Sequence, residues 1–64
     1  MKNAEFIRWL GRKGCTFKQA KGSHMKVYYG NRQSVVPVHK GKDIKEGTRR
    51  AIIKQLDLRE DDDV

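Results

Sequence analysis

His24-Met25-Lys26-Val27-Tyr28-Tyr29-Gly30-Asn31-Arg32-Gln33-Ser34-Val35-Val36-Pro37-Val38 is the stretch that decides the fold. Valine and tyrosine fit the pleated, half-buried surface of a sheet, so 24–29 and 34–38 read as strands. Gly30-Asn31-Arg32-Gln33 between them reads as a four-residue loop, and so short a link permits antiparallel pairing alone. Pro37 has no N–H for a ladder, which places its strand at an edge or puts the proline at a non-bonding position. Upstream, 15–21 reads as a further strand, with Cys15, Phe17 and Gln19 on one face and Thr16, Lys18 and Ala20 on the other. Gly22-Ser23 turns the chain back, giving a three-stranded meander.

Helical spacing flanks the meander. Asn3 is expected to cap a helix running to about Lys13, with Phe6, Ile7 and Leu10 on one face, Trp9 at its border and Gly14 as the stop. After the break at Lys40-Gly41-Lys42, Asp43-Ile44-Lys45-Glu46 resembles a capping box, with Thr48 as the alternative cap. The buried stripe of the second helix is expected to be Ile44, Thr48, Ala51, Ile52, Gln55 and Leu56, with Arg49, Arg50 and Lys54 opposite. The fold class is therefore α+β in the order α-β-β-β-α: a three-stranded antiparallel sheet, two helices on one face, the other face open.

Size excludes much. A single domain of 64 residues buries only about 60% of the surface its unfolded chain exposes, too little for a core plus a bulky cofactor pocket. Cys15, the one cysteine, cannot make an internal disulfide, and no apolar run approaches the roughly 20 residues that span a membrane. Arg8, Arg12 and Lys13 interrupt the apolar residues near the start, so no signal peptide is read and a cytoplasmic location is expected. No internal repeat is present.

The formal net charge is +7, but five of the eight acids fall within 57–63. Residues 1–56 carry fourteen lysines and arginines against Glu5, Asp43 and Glu46, a net of +11. So lopsided a body points to nucleic acid or another polyanion. The folded domain is expected to end near residue 58, leaving 59–64 as an acidic, disordered tail.

Within this basic body, Lys21-Gly22-Ser23-His24 sets an imidazole beside a flexible glycine and a hydroxyl at the mouth of a hairpin. Imidazole exchanges a proton near neutral pH. RNA carries its own nucleophile, the 2′-hydroxyl, so cleavage needs a base for that proton, an acid for the leaving 5′-oxygen and cations for the phosphorane. His24 is the candidate base or acid, with Ser23 and Lys26 near the phosphate and Lys21 as a further RNA contact. His39, at the end of the third strand, is a second acid/base candidate, though a strand-end or supporting role is the stronger reading. Lys40, Lys42 and Lys45 precede the last helix, whose N-terminus favours an anion, and are candidate RNA contacts.

Cys15, His24 and His39 fall short of a four-ligand zinc site, and the few scattered carboxylates do not form a magnesium site, so neither metal nor cofactor is expected. Cys15 reads as a packed side chain, with no base beside it. Tyr28 and Tyr29 point to opposite faces of a regular strand, so one of them at most can stack on a base.

Helix, Gly14, strand, Lys21-Gly22-Ser23-His24, hairpin, Val36-Pro37-Val38-His39, then Lys42-Asp43-Ile44-Lys45-Glu46-Gly47-Thr48 with Ile52 and Leu56: this order resembles the HicA family of toxins over about residues 3–58. The resemblance implies a fold like that of double-stranded RNA-binding domains. It further implies an mRNA-cleaving toxin of a type II toxin–antitoxin system, neutralised by a HicB-type antitoxin, with His24 as the catalytic residue. Two other classes compete: a non-catalytic double-stranded RNA-binding module, and an interaction protein whose basic surface docks an acidic partner. In the first Gly22-Ser23-His24 has no evident job, and the second makes His24 dispensable.

Overall fold

β2 (His24–Tyr29) is the centre of the sheet and pairs antiparallel with β1 (Thr16–Gln19) on one side and β3 (Arg32–Pro37) on the other. The computed structural model describes residues 1–39 and 41–58; Lys40 and the expected acidic tail lie outside them. β2 begins and ends where its sequence predicts. Tyr29 pairs with Arg32, so the turn is Gly30-Asn31 alone, not the expected four residues, and β3 starts two residues earlier than expected. Arg32 and Gln33 read as loop because they are polar, yet they are the exposed start of an edge strand. Gly30, at φ 62°, supplies the positive φ that a two-residue turn needs to match the strand twist.

β1 is shorter than the expected 15–21. Its start is taken by a helix end: the Cys15 N–H donates to the Leu10 carbonyl (3.1 Å) and the Gly14 N–H to that of Gly11 (3.1 Å), a Schellman close with Gly14 at φ 101°. At the other end the Ala20 N–H donates to the His24 carbonyl (3.2 Å), closing the turn through Lys21-Gly22-Ser23.

α1 spans Asn3–Arg12 and α2 Glu46–Leu56. Neither cap is the expected one. Lys2, in extended conformation, is the cap of α1, and its backbone N–H donates to the Glu5 carboxylate (3.3 Å). Lys45 is the cap of α2, with no side-chain cap bond, so the Asp43 box and the Thr48 alternative both give way. α2 ends as α1 does, with the Asp57 N–H on the Lys54 carbonyl and the Leu58 N–H on that of Ile53, but here a non-glycine residue, Asp57, takes the left-handed conformation at φ 57°.

Asn3 fails as a cap because its side chain is used elsewhere. Almost fully buried, it donates through Nδ2 to the Pro37 carbonyl (2.7 Å) and accepts at Oδ1 from the His39 N–H (3.0 Å). Beside it the Asn3 N–H bonds the Lys42 carbonyl (2.9 Å) and the Ile44 N–H the Met1 carbonyl (3.1 Å), forming a small bridge of Lys2 with Asp43. The first residues are thereby clasped to the exit of β3 and the approach to α2.

The core lies between both helices and one face of the sheet: Phe6, Trp9 and Leu10 of α1, Cys15, Val27 of β2, Val36 of β3, Ile44, and Ile52, Ile53 and Leu56 of α2. Ile7, Phe17, Met25 and Leu58 complete it. Phe6 and Trp9 stack with ring centroids 5.8 Å apart, and the Lys13 ammonium sits 5.2 Å over Trp9. The stripe of α2 is rotated from the expected one: Ile53 is buried, Ala51 is exposed, and Gln55 reaches back to hydrogen-bond the buried Ser34 hydroxyl of β3. No described helix is long and apolar enough to cross a membrane.

Candidate active site

Strand alternation sorts the sheet into two chemistries. Phe17, Met25, Val27, Ser34 and Val36 point to the helices. Thr16, Lys18, His24, Lys26, Tyr28, Gln33, Val35 and Pro37 lie on the open face, where the register sets Lys18 opposite Lys26, Lys26 opposite Val35, and His24 opposite Pro37. His24 is the first residue of β2 and is exposed at the end of this central strand. Its position is fixed from both sides by backbone bonds, Ala20 N–H to its own carbonyl and Val38 N–H to the Ser23 carbonyl (2.7 Å).

His24 lines an open hollow of about 390 Å³ with Gln19, Gly22, Ser23, Met25 and Val38. Gly22, at φ 64°, has no neighbour within 4 Å of a would-be Cβ, so the hollow is bounded there by bare backbone. Among the described residues no carboxylate lines it, and a phosphodiester resting there meets an imidazole and a hydroxyl. Lys21 and Lys26 are exposed on either side in sequence, Lys26 lining a second depression with Gln33, Ser34, Val35 and Gln55.

The other candidates gather elsewhere. His39, Lys42 and Lys45 line a hollow of about 240 Å³ with Asn3, Asp43 and Thr48, at the start of α2. The two histidines line different hollows. Glu46, in the first turn of α2, accepts from Arg49 (2.5 Å) and Arg50 (3.1 Å), bonds that hold its carboxyl below the ordinary glutamate range. Cys15 is buried, and that burial pushes its thiol up, away from nucleophilic use. Tyr28 faces the open side, whereas the Tyr29 ring lies over Gly14, where a Cβ would come within 3.7 Å of it.

Lys18 and Tyr28 share the open face with His24 and Lys26, a grouping the sequence reading did not make. The signal was present in the period of two running His24, Lys26, Tyr28, but Lys18 joins the row through cross-strand register alone.

Residues 4–58 match the family described as the HicA toxin of bacterial toxin–antitoxin systems. The chain belongs to the HicA toxin family. A Pseudomonas fluorescens (strain Pf0-1) protein named probable mRNA interferase HicA is 45% identical over 60 residues, covering 94% of this chain and all of that relative. An Escherichia coli (strain K12) protein named probable mRNA interferase toxin HicA is 48% identical over 59 residues, covering 91% and 98%. Among solved structures, the crystal structure of the E. coli HicAB toxin–antitoxin complex contains a chain that superposes with a TM-score of 0.82 at 41% identity, covering 91% of this HicA-family chain and all of that one. The α-β-β-β-α order expected from the sequence is thus the family's own.

Proposed function

We propose that this chain is an mRNA-cleaving toxin of a type II toxin–antitoxin system, acting without a metal through His24 and held in check by a HicB-type antitoxin. The observation that carries this reading is the placement of His24: exposed, at a strand end fixed by backbone hydrogen bonds, in a hollow that no described carboxylate lines, on a strongly basic domain whose relatives are named mRNA interferases. The imidazole takes the proton of a 2′-hydroxyl, or gives one to the departing 5′-oxygen. The 2′-oxygen attacks phosphorus, the P–O5′ bond breaks, and the products are a 2′,3′-cyclic phosphate and a 5′-hydroxyl. Ser23, Lys21 and Lys26 offer donors and positive charge to the phosphorane, while Lys42 and Lys45 hold a more distant phosphate.

Donor chemistry supports the metal-free route, because among the described residues no three His, Cys, Asp or Glu side chains come together. The His39 N–H serves the fold of its loop through Asn3, and its side chain lines the hollow at the start of α2. The folded unit is residues 1–58, and an mRNA substrate places the protein in the cytoplasm. The antitoxin reading is supported by the superposition on a toxin–antitoxin complex and by charge: a carboxylate-bearing surface over His24 both blocks RNA and pairs the lysines. The test is cleavage of purified RNA in EDTA by wild type and His24→Ala, each checked for folding by circular dichroism. Loss of cleavage with the fold kept supports the reading; undiminished cleavage by the variant removes His24 from the mechanism.

A further inference from the structure

Resting on that reading, we infer that the open sheet face is the platform on which the substrate lies as an unpaired strand, with Tyr28 stacking a base and the facing pair Lys18 and Lys26 holding the phosphates that lead to His24. The first observation is the pair itself. Lys18 and Lys26 are direct cross-strand partners, both exposed, and like charges in that position weaken a sheet. The four described acids stand elsewhere: Glu5 on α1, Asp43 beside Lys2, Glu46 against Arg49 and Arg50, and Asp57 3.9 Å from Arg32. Among the described residues no carboxylate is paired with either lysine, so an anion lying between them would meet two unpaired ammonium groups.

The second observation is the row. His24, Lys26 and Tyr28 recur on one face of β2 at intervals of about 7 Å, two residues of strand rise. A backbone following the row meets the imidazole, then the lysine pair, then the ring. Tyr28 is half-buried with its neighbours Thr16 and Gln33 beside it, and Val35, 48% exposed, extends the apolar floor. A tyrosine next to a lysine pair on an open sheet face can stack on an unpaired base, whereas the bases of a duplex are hidden within their own stack.

The experiment titrates an unpaired RNA oligonucleotide and an RNA duplex of equal length into the full chain, wild type and variants, by fluorescence anisotropy over a range of salt. His24→Ala is introduced throughout to prevent cleavage, and circular dichroism follows folding. Lys18→Gln and Lys26→Gln are each expected to weaken unpaired RNA and to lower the salt slope by about 0.7, the loss of one single-strand phosphate contact, while raising thermal stability by relieving the repulsion. Tyr28→Leu is expected to weaken binding at least about fivefold with the slope unchanged, and Tyr28→Phe to restore it. Binding of unpaired RNA that none of these changes alters would overturn this inference while leaving the ribonuclease reading intact. Equal affinity for the duplex would also overturn it. A chain that binds no RNA would overturn both readings, and loss of an acidic protein partner with RNA binding untouched would assign the face to that partner instead.

Discussion

The two faces of the sheet alternate along the same three strands, yet they solve opposite problems. On the helix side, Phe17, Val27 and Val36 meet Phe6, Leu10, Ile52, Ile53 and Leu56, and the buried hydroxyl of Ser34 is bonded to Gln55. On the other side, Lys18 faces Lys26, and His24 and Val35 stand exposed. One face is complete in itself; the other is arranged at some cost to the free protein. The difference teaches that a period of two can divide stability from chemistry within a domain too small to give each its own region, so substitutions on the two faces should separate cleanly.

The heaviest blow to that division is Phe6→Ala. Removing a fully buried aromatic costs about 3–5 kcal/mol, against a total stability of roughly 3–10 kcal/mol for a chain of this size. Circular dichroism and urea titration should show a largely unfolded protein, with activity lost as a consequence. His24→Ala should do the reverse, lowering the cleavage rate by about 10²- to 10⁴-fold with the urea midpoint unchanged. If it unfolded the protein, the two faces would not be independent.

Asn3→Ala tests the clasp, which belongs to neither face. It leaves the Pro37 carbonyl and the His39 N–H without their partner and should cost about 2–3 kcal/mol in urea unfolding. Smaller still, Asp57→Gly should gain about 0.5–1 kcal/mol by removing a side chain from a left-handed position, measurable as a rise in melting temperature without change in cleavage.

The smallest effect concerns pH. The folded-state pKa of Glu46 lies below its unfolded value, so its contribution is present above the unfolded pKa, about 4.3, and is lost as pH falls through the lower folded value. In Glu46→Gln the urea midpoint should fall less steeply between about pH 5 and 3 than in the wild type.

Much of this was legible in the chain itself. The bounds of β2, the helical stop at Gly14, the edge position of the Pro37 strand and the exposed imidazole at a hairpin mouth all follow from local chemistry: β-branched runs, glycine at positive φ, a missing N–H. What was not legible depends on contacts distant in sequence. Asn3 has the residue type of a cap, and its use as a bridge to Pro37 and His39 is invisible without the fold. Arg32 and Gln33 look like loop because an edge strand needs no apolar residues on its open side. In the α2 stripe Ile44, Ile52 and Leu56 were legible, but Ile53 was not, since Ala51 and Gln55 fit a helical period as well as it does. For the candidate site, the His24 motif could be read from the sequence, whereas the hollow that His39 lines with Asn3 and Lys42 required the fold.

The clasp has a consequence for the birth of the protein. Met1 and Asn3 leave the ribosome well ahead of the groups they bond, on Pro37, His39, Lys42 and Ile44, which are made dozens of residues later, and the core closes with Ile52, Ile53 and Leu56. A half-made chain has nothing to hold α1 in place and no closed face behind the sheet. A nascent chain that stops short of Leu56 is therefore not yet a folded domain, and its basic sheet face has no core behind it until α2 has been made.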